Sequence, residues 1–401
     1  MTEFTVSSFN VKNLIGPEQE YYKFESYTPE EYSWKQSWLA NQVLQLNADI
    51  IGFQEIFDDV ALQAVIDEAD ELGVAANKLS IPDETKRYAR KAIFRKLAYD
   101  PYTHAQLAFA PNLNDGAPGQ RRPGVAVLSR FGFTEKPEVI QELPEPLEIP
   151  FQDLGGSDGG TYKLRRLSRP ILRVRIPVGD QVVTVFNCHL KSKLGELDRP
   201  DGAPYPPAAD LTRYDPAARA MGSLRAGLRR MAEAWVLRRA IIKDLEAGNA
   251  VMVLGDFNDS EHAVSSEIIS GEIPFKNYAW IRRHDAQHKG DRYSAAEDAV
   301  IQEQIDRVRL HSAEKLFVRK SLQDMVYTSA FGGVFESIDQ ILMSRHFHPD
   351  NDKRIGEMTY FNVLNDHLTD GSHPDAPYNK LASDHGQIMA HFTLVKPVTQ
   401  P

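Results

Sequence analysis

The sequence predicts an α/β protein built as one domain. Short β-branched runs alternate with amphipathic helical stretches from end to end, no segment repeats at a fixed period, and strand-forming runs continue across every aperiodic stretch. The 401 residues include 42% hydrophobic and 25% charged side chains, an ordinary globular composition that argues against disorder, collagen-like repeats and coiled coil. Such a length allows one large domain or two or three smaller ones. With no linker separating independent cores, residues 1–401 are expected to form a single unit.

The elements follow in order. Phe4 to Asn10 reads as a strand, and Glu30 to Leu46 as a helix with Trp34, Trp38 and Leu39 on one side. Asp49 to Phe53 is a buried strand, and Leu62, Val65, Ile66 and Ala69 mark a second helix. Gly124 to Ser129, Ile171 to Ile176, Val182 to His189 and Ala250 to Leu254 are strand candidates. Ala217 to Leu245 is a long helix whose apolar stripe is Met221, Leu224, Leu228, Met231 and Trp235. A further helix is expected over about 294–319, where it would cap the cleft, pair two chains or complete the core. Strands resume near Ser337 to Met343 and close at Gly386 to Phe392. Stretches at about 76–123, 142–169 and 195–216 lack periodicity and are expected as long loops, which carry function in many compact domains.

Charge and cysteine content narrow the function. Forty-six Lys and Arg stand against 56 Asp and Glu, a net charge of −10, so contact with a polyanion needs a local basic patch. No stretch approaches the roughly 18 apolar residues of a membrane span, so no membrane partner is expected. Nothing implies a protein partner. The first residues show no basic region followed by an apolar run, which makes the cytoplasm the expected location. Cys188 is the sole cysteine, so a disulfide framework and a cysteine-based zinc site are excluded within one chain.

Several strands end in a polar or acidic residue directly after an apolar run. Asn10, Glu55, His189, Asp256 with Asn258, Asp339, and Asp384 with His385 all stand in such places. One acidic residue at a strand end is commonly a turn or helix cap; six such ends can meet at one rim of a sheet. Their oxygen donors, without a thiolate among them, suit a hard cation, Mg²⁺ or Mn²⁺. A metal, a histidine paired with a carboxylate and neutral amides are the parts needed for phosphoester hydrolysis.

The blocks Ser8-Phe9-Asn10-Val11, Asp49 to Glu55, Gly124 to Arg130, His189 to Ser192, Gly255-Asp256-Phe257-Asn258, Asp339-Gln340-Ile341 and Ser383-Asp384-His385 occur in an order that closely resembles the endonuclease/exonuclease/phosphatase superfamily. The resemblance spans nearly the whole chain. It implies a four-layered α/β sandwich, two packed mixed β-sheets flanked by helices. It also implies roles: Glu55 as principal metal ligand with Asn10 beside it and Asp384 as a second metal-side acid. Asp256 and Asn258 would position the attacking water and the scissile phosphate. His385 would be the general base or a charge-steadying imidazolium, held by Asp339. His189 would bind a phosphate oxygen or donate a proton.

Peripheral loops select the substrate. Lys86, Arg87, Arg90, Lys91, Arg95 and Lys96 form a basic stretch suited to a phosphate backbone, or equally a solvated helix face. Arg122 and Lys191 are the substrate-binding candidates, Arg122 because a guanidinium grips phosphate bidentately. The arginines of the long helix, Arg225, Arg229, Arg230, Arg238 and Arg239, are expected as its polar face. The leading expectation is a metal-dependent phosphodiesterase acting on DNA or RNA, a low-specificity endonuclease. The alternative is a phosphatase or phosphodiesterase for a small phosphorylated metabolite or phospholipid head group, which would show an exposed apolar loop. A binding module with a dead site is a third reading, opposed by the filling of every matched catalytic position.

Overall fold

Each apolar run of the sequence becomes a strand of one of two six-stranded mixed sheets. The computed structural model describes residues 2–21, 25–78, 98–112, 121–151, 160–195, 216–272, 295–318, 326–370 and 380–395. The first sheet has the order β13-β14-β1-β2-β4-β3, from β1 (Glu3–Leu14), β2 (Ile50–Ile56), β3 (Gln106–Asn112), β4 (Arg122–Ser129), β13 (Gly356–Leu364) and β14 (Gln387–Leu394). The second has the order β5-β6-β7-β8-β12-β9, from β5 (Glu138–Phe151), β6 (Gly160–Val178), β7 (Gln181–His189), β8 (Ala250–Asp256), β9 (Leu310–Ser312) and β12 (Asp339–Ser344). A separate hairpin pairs β10 (Ser329–Phe331) with β11 (Val334–Glu336).

The sheets pack face to face over Val6, Ile50, Val125, Val127, Val174, Val185, Met252, Leu254, Ile341 and Ile388. Helices α1 (Pro29–Leu46) and α2 (Asp59–Lys78) cover the outer face of the first sheet, burying Leu39, Val43, Leu62 and Val65 against Phe9 and Phe53. Helix α3 (Pro216–Glu246) covers the second through Leu237, Ile241 and Leu245 against Phe186, Val251 and Val253. The layers are those the resemblance implied. Strands buried on both faces explain why β8 reads as unbroken apolar sequence.

Two features hold the sheets close. A Cβ on Gly52 would lie 1.9 Å from Leu254 Cδ1, so only glycine lets β2 approach β8. Asn187 of β7 crosses the gap, its Nδ2 donating to Phe53 O at 3.0 Å and Ala126 O at 2.8 Å while its Oδ1 accepts from Gln54 Nε2 at 2.7 Å. A buried amide with every group engaged fixes the register of one sheet on the other.

Local signals set the helix ends. Thr28 and Glu31 form a reciprocal capping box at the start of α1, and Asn47 ends it in the left-handed conformation at φ 45°. The expected faces are partly wrong. Trp34 is 44% exposed, and α1 turns Lys35, Leu39, Ala40 and Val43 inward instead. On α3, Leu224 and Trp235 are half exposed, while Ala226, Ala234, Leu237 and Ile241 are buried. Small alanines let the helix lie close to the sheet, and the larger stripe is displaced outward. The arginines of α3 are only in part a solvated face: Arg239 is exposed, but Arg238 is buried and donates to Ile269 O at 3.1 Å, and Arg230 pairs with Asp259 at 2.9 Å.

Three expected segments also differ. Much of 142–169 is a long hairpin of β5 and β6, whose register shifts between Glu142 and Leu147, where Pro144 and Pro146 break the alternation. Within 76–123, β3 is an edge strand paired with β4. The single helix expected at 294–319 is α5 (Ala295–Val308), then strand β9, then α6 (Ala313–Val318), because Leu310–Ser312 pair with the edge of β12. α4 (Val264–Ser270) is a short addition after β8. Residues 196–215 and the basic stretch from Lys86 to Lys96 lie outside the described residues.

Glu314 on α6 is held by a 3.2 Å hydrogen bond from Ser337 Oγ, and burial together with neighbouring Glu261 drives its carboxyl up to about 7. A carboxyl raised on folding binds its proton more tightly in the native state, so its contribution is present below its unfolded value and lost as pH rises through the folded one. Wild-type stability relative to Glu314→Gln should therefore decline as pH climbs from about 4.5 to 7, as read from unfolding midpoints in urea. A pH-independent difference between the two proteins would contradict this.

Candidate active site

Strand direction brings the chemistry to one rim. β1 and β2 run parallel, as do β7 and β8, so Asn10, Glu55, His189 and Asp256 all stand at carboxyl ends. Asp339 begins β12, which runs antiparallel to β8, and His385 precedes β14, which runs antiparallel to β1. In the second sheet His189 is paired in register with Asp256, and Asp256 with Asp339. Three neighbouring strands thus present three ionisable groups side by side.

Asp256 is the hub and is 1% exposed. Its Oδ2 accepts from Asn10 Nδ2 at 3.1 Å and Asn258 Nδ2 at 3.2 Å, and lies 3.3 Å from His189 Nε2 and 3.9 Å from His385 Nε2. Its Oδ1 accepts from Asn258 N at 2.7 Å. Asn258 is fixed in turn by donating Nδ2 to Leu190 O at 3.0 Å. Glu55 joins at the edge, 3.4 Å from Asn10 Nδ2 and 4.0 Å from His189 Nε2, with its Oε2 accepting from Asn13 N at 3.0 Å.

His385 Nδ1 meets Asp339 Oδ2 at 2.8 Å, which turns Nε2 toward Asn10, 3.3 Å away. Around the ring, Ser383 Oγ donates to Asn10 O at 2.6 Å and accepts from His385 N at 3.0 Å, and His367 Nε2 lies 3.0 Å from His385 O.

The two histidines are driven apart electrostatically. Burial works against a charge on His385, but Asp339, Asp256 and Asp384 outweigh it and hold the imidazole well above its ordinary range. His189 goes the other way: burial, reinforced by Arg169, His385 and Lys191, pushes it well below. For Asp256 burial raises the carboxyl, with His385 opposing and Asp339 adding. Opposite environments around two imidazoles of one site give it separate acid and base capacity.

The backbone at the rim is strained. Lys12, Asn13, Glu55 and Asn258 have φ of 54°, 55°, 65° and 53°, a conformation uncommon outside glycine. Gly255 takes φ 142°, where a Cβ would lie 1.9 Å from Cys188 O. Each left-handed non-glycine residue costs on the order of 1–3 kcal/mol and persists only where surrounding bonds over-determine it.

The rim's oxygen donors fit a divalent cation: Glu55 Oε1 and Asp256 Oδ2 converge on one amide nitrogen, Asn10 Nδ2, at 3.4 and 3.1 Å, where the amide turned over would bring three oxygens together. Asp256, Asp339 and His385 each offer a ligand atom within 4.8 Å of the others, and the buried Asp339 Oδ1 has no hydrogen-bond partner. Asn10 as placed turns its nitrogen to the acids and gives its oxygen to Lys12 N at 3.0 Å, so a cation contact requires the amide to turn over. Asp384 stands apart from this group: its carboxylate is 60% exposed and pairs with Lys12 at 3.7 Å. Arg122 opens β4 at the same rim, two residues before Gly124, which pairs with Ile56. Lys191 Nζ turns back on its own loop, donating to Leu194 O at 2.9 Å. Sequence reasoning missed Lys12, Asn13, Lys35 and Ser383. Ser383 stood in the block that ends in His385, and Lys35 left a signal as a lone lysine on the apolar face of a helix.

The sequence matches the Endonuclease/Exonuclease/phosphatase family model over residues 8–385. No curated protein matches it. Similar solved structures include an endonuclease/exonuclease/phosphatase family protein from Leptotrichia buccalis, at 12% identity and TM-score 0.43, covering 98% of this chain and 100% of that one. TDP2 from Caenorhabditis elegans aligns at 14% identity and TM-score 0.43, covering 97% and 74%. A mannosyl-6-phosphatase from Bacteroides thetaiotaomicron aligns at 13% and 0.45, covering 98% and 100%. TM-scores below 0.5 carry no argument about substrate. The family match runs from the strand that bears Asn10 to His385 itself and takes in every strand end of this rim; the chain belongs to the Endonuclease/Exonuclease/phosphatase family.

Proposed function

We propose that the chain is a divalent-metal-dependent phosphodiesterase that cleaves nucleic-acid backbone, DNA or RNA, as an endonuclease of low sequence specificity. The observation that carries the reading is the buried Asp256 carboxylate lying within 4 Å of Asn10, His189 and His385, with His385 held by Asp339.

Glu55 and Asp256, with Asn10 turned over, would hold Mg²⁺ or Mn²⁺, which when bound polarises a phosphoryl oxygen and steadies the leaving oxyanion. The chain's own groups do the rest. Asp339 fixes the His385 tautomer, so that Nε2 faces the reacting phosphate to take a proton from water or to steady developing charge. Asn258 binds both oxygens of Asp256 and aims that carboxylate. His189 directs Nε2 at the cluster, 3.3 Å from Asp256, and would meet a non-bridging oxygen of a bound phosphate there.

Charge supports a diester. A phosphomonoester would bring close to two negative charges to Glu55, Asp256 and Asp339, whereas a diester brings one. Rim cations already meet acids: Lys12 meets Asp384, and Lys193 meets Glu336 and Asp259. Arg122 at the rim and the basic stretch of the sequence favour a polyanionic strand.

One observation favours a second reading, a phospholipid head group. The β10–β11 hairpin exposes Phe331, Val334 and Phe335, and Phe335 stands four residues before Asp339. An apolar projection of this kind suits a lipid-borne ester.

Plasmid DNA, RNA, sphingomyelin, inositol phosphates and sugar phosphates, each incubated with Mg²⁺ or Mn²⁺ and with EDTA, separate the readings. Plasmid nicking that EDTA stops is expected; hydrolysis of sphingomyelin alone would establish the second reading, and turnover that survives EDTA would overturn both. His385→Ala and Asp256→Asn should each lower kcat by roughly a hundredfold or more, the equivalent of about 3 kcal/mol of barrier. The thermal midpoint of Asp256→Asn should fall, since the amide sets a donor against Asn10 or Asn258 where the carboxylate accepted, so turnover is compared below that midpoint. Asp339→Asn should depress kcat while leaving KM near wild type, because the ring loses its orienting acceptor. Unchanged kcat in that variant would exclude Asp339 from the site chemistry.

A further inference from the structure

Lys35 has 0% exposure as a residue, the lowest of any lysine, arginine or acid among the described residues. It stands on the core face of α1, in line with Leu39 and Val43. Its Nζ donates to Val11 O at 3.0 Å and to Leu381 O at 3.2 Å, with the Tyr27 ring centroid 5.5 Å away. A buried amine, charged or neutral, carries a desolvation penalty that an apolar chain of the same length would avoid. Its retention points to a task that packing alone does not perform.

The two acceptors identify that task. Val11 follows Asn10 and opens the irregular stretch in which β1 leaves its register with β2, between Asn10 and Leu14. Lys12 and Asn13, the strained residues of this stretch, come next. Leu381 lies four residues before His385, ahead of the first pair of β14 with β1 at Ser8 and Ile388. Both acceptors therefore stand outside the strand ladders that position the rest of the site. Ser383 Oγ, donating to Asn10 O at 2.6 Å, makes a parallel tie between the same two segments. Burial, with Lys12 adding, lowers the Lys35 amine to about 7, against the pull of Glu55 and Asp384.

We infer that Lys35 is a positioning residue, clamping the stretch after Asn10 to the segment leading into His385 and so fixing the spacing between the metal-side acids and the imidazole. The inference rests on the phosphodiesterase reading, and its failure is separable: wild type inactive on every phosphoester tested would sink that reading, whereas an active wild type matched by its Lys35 variants would sink this one.

Lys35→Met keeps length and volume but has no donor. A misplacement of about 1 Å can cost on the order of a hundredfold in rate, so kcat should fall at least about tenfold with KM within about threefold of wild type. Lys35→Arg, which can donate to both carbonyls, should recover most of the loss. Leu39→Ala, four residues along the same face, should lower the unfolding midpoint yet keep wild-type kcat below it. Independently of turnover, the downfield NMR resonance of the His385 ring proton facing Asp339 should shift or broaden in Lys35→Met and hold its place in Leu39→Ala. If Lys35→Met does not fold, Lys35→Gln, whose amide retains donors, takes its place in the same comparison. Wild-type kcat and an unmoved His385 resonance in the folded variant would overturn the proposal, as would equal losses in Lys35→Met and Leu39→Ala.

Discussion

A carboxylate with almost no access to water sits at the centre of this molecule, and the arrangement around it follows from keeping it partnered. Asp256 receives hydrogen bonds from Asn10 and Asn258 and has two imidazoles within 4 Å. A buried charge left without such company is strongly destabilising. Those partners come from both sheets and from the segment before the last strand of the first, so the hub exists only when the sandwich has closed. Assembly of the fold and assembly of the site are one event.

That closure is set by geometry just inside the rim. Gly52 and Leu254 meet where no side chain could intervene, and Asn187 anchors the second sheet to backbone carbonyls of the first. Because the sheets cannot slide, strand ends that arrive from opposite sheets do so at a fixed offset. Past those ends the ladders stop, and the positive-φ residues Lys12, Asn13, Glu55 and Asn258 begin. There the chain depends on individual hydrogen bonds, Asn13 N to Glu55, Asn258 N to Asp256 and Ser383 to Asn10, to hold conformations that the backbone disfavours.

Periodicity located most elements and misjudged several faces. The stripe of Met221, Leu224, Leu228, Met231 and Trp235 is a sound helical pattern, yet α3 rests on Ala232, Ala234, Leu237, Ile241 and Leu245. The 142–169 segment reads as loop because Pro144 and Pro146 interrupt its alternation, although the partner strand β6 still carries it. Strand β9 was hidden for a different reason: three residues are too short to show a period, and an edge strand is made by the edge it joins.

The sequence by itself determined the class of fold, the order of the strands that end in polar groups, and the identity of the groups at those ends, since all of these are written in local pattern and residue type. Tertiary structure alone decided that Asp384 faces Lys12 at the rim while Asp256 lies at the hub, that His189 and His385 are pushed in opposite directions, and that a lysine from the core of α1 reaches the segments flanking the site. Those outcomes depend on burial and on the summed field of groups hundreds of residues apart, quantities that have no value until the two sheets are in contact.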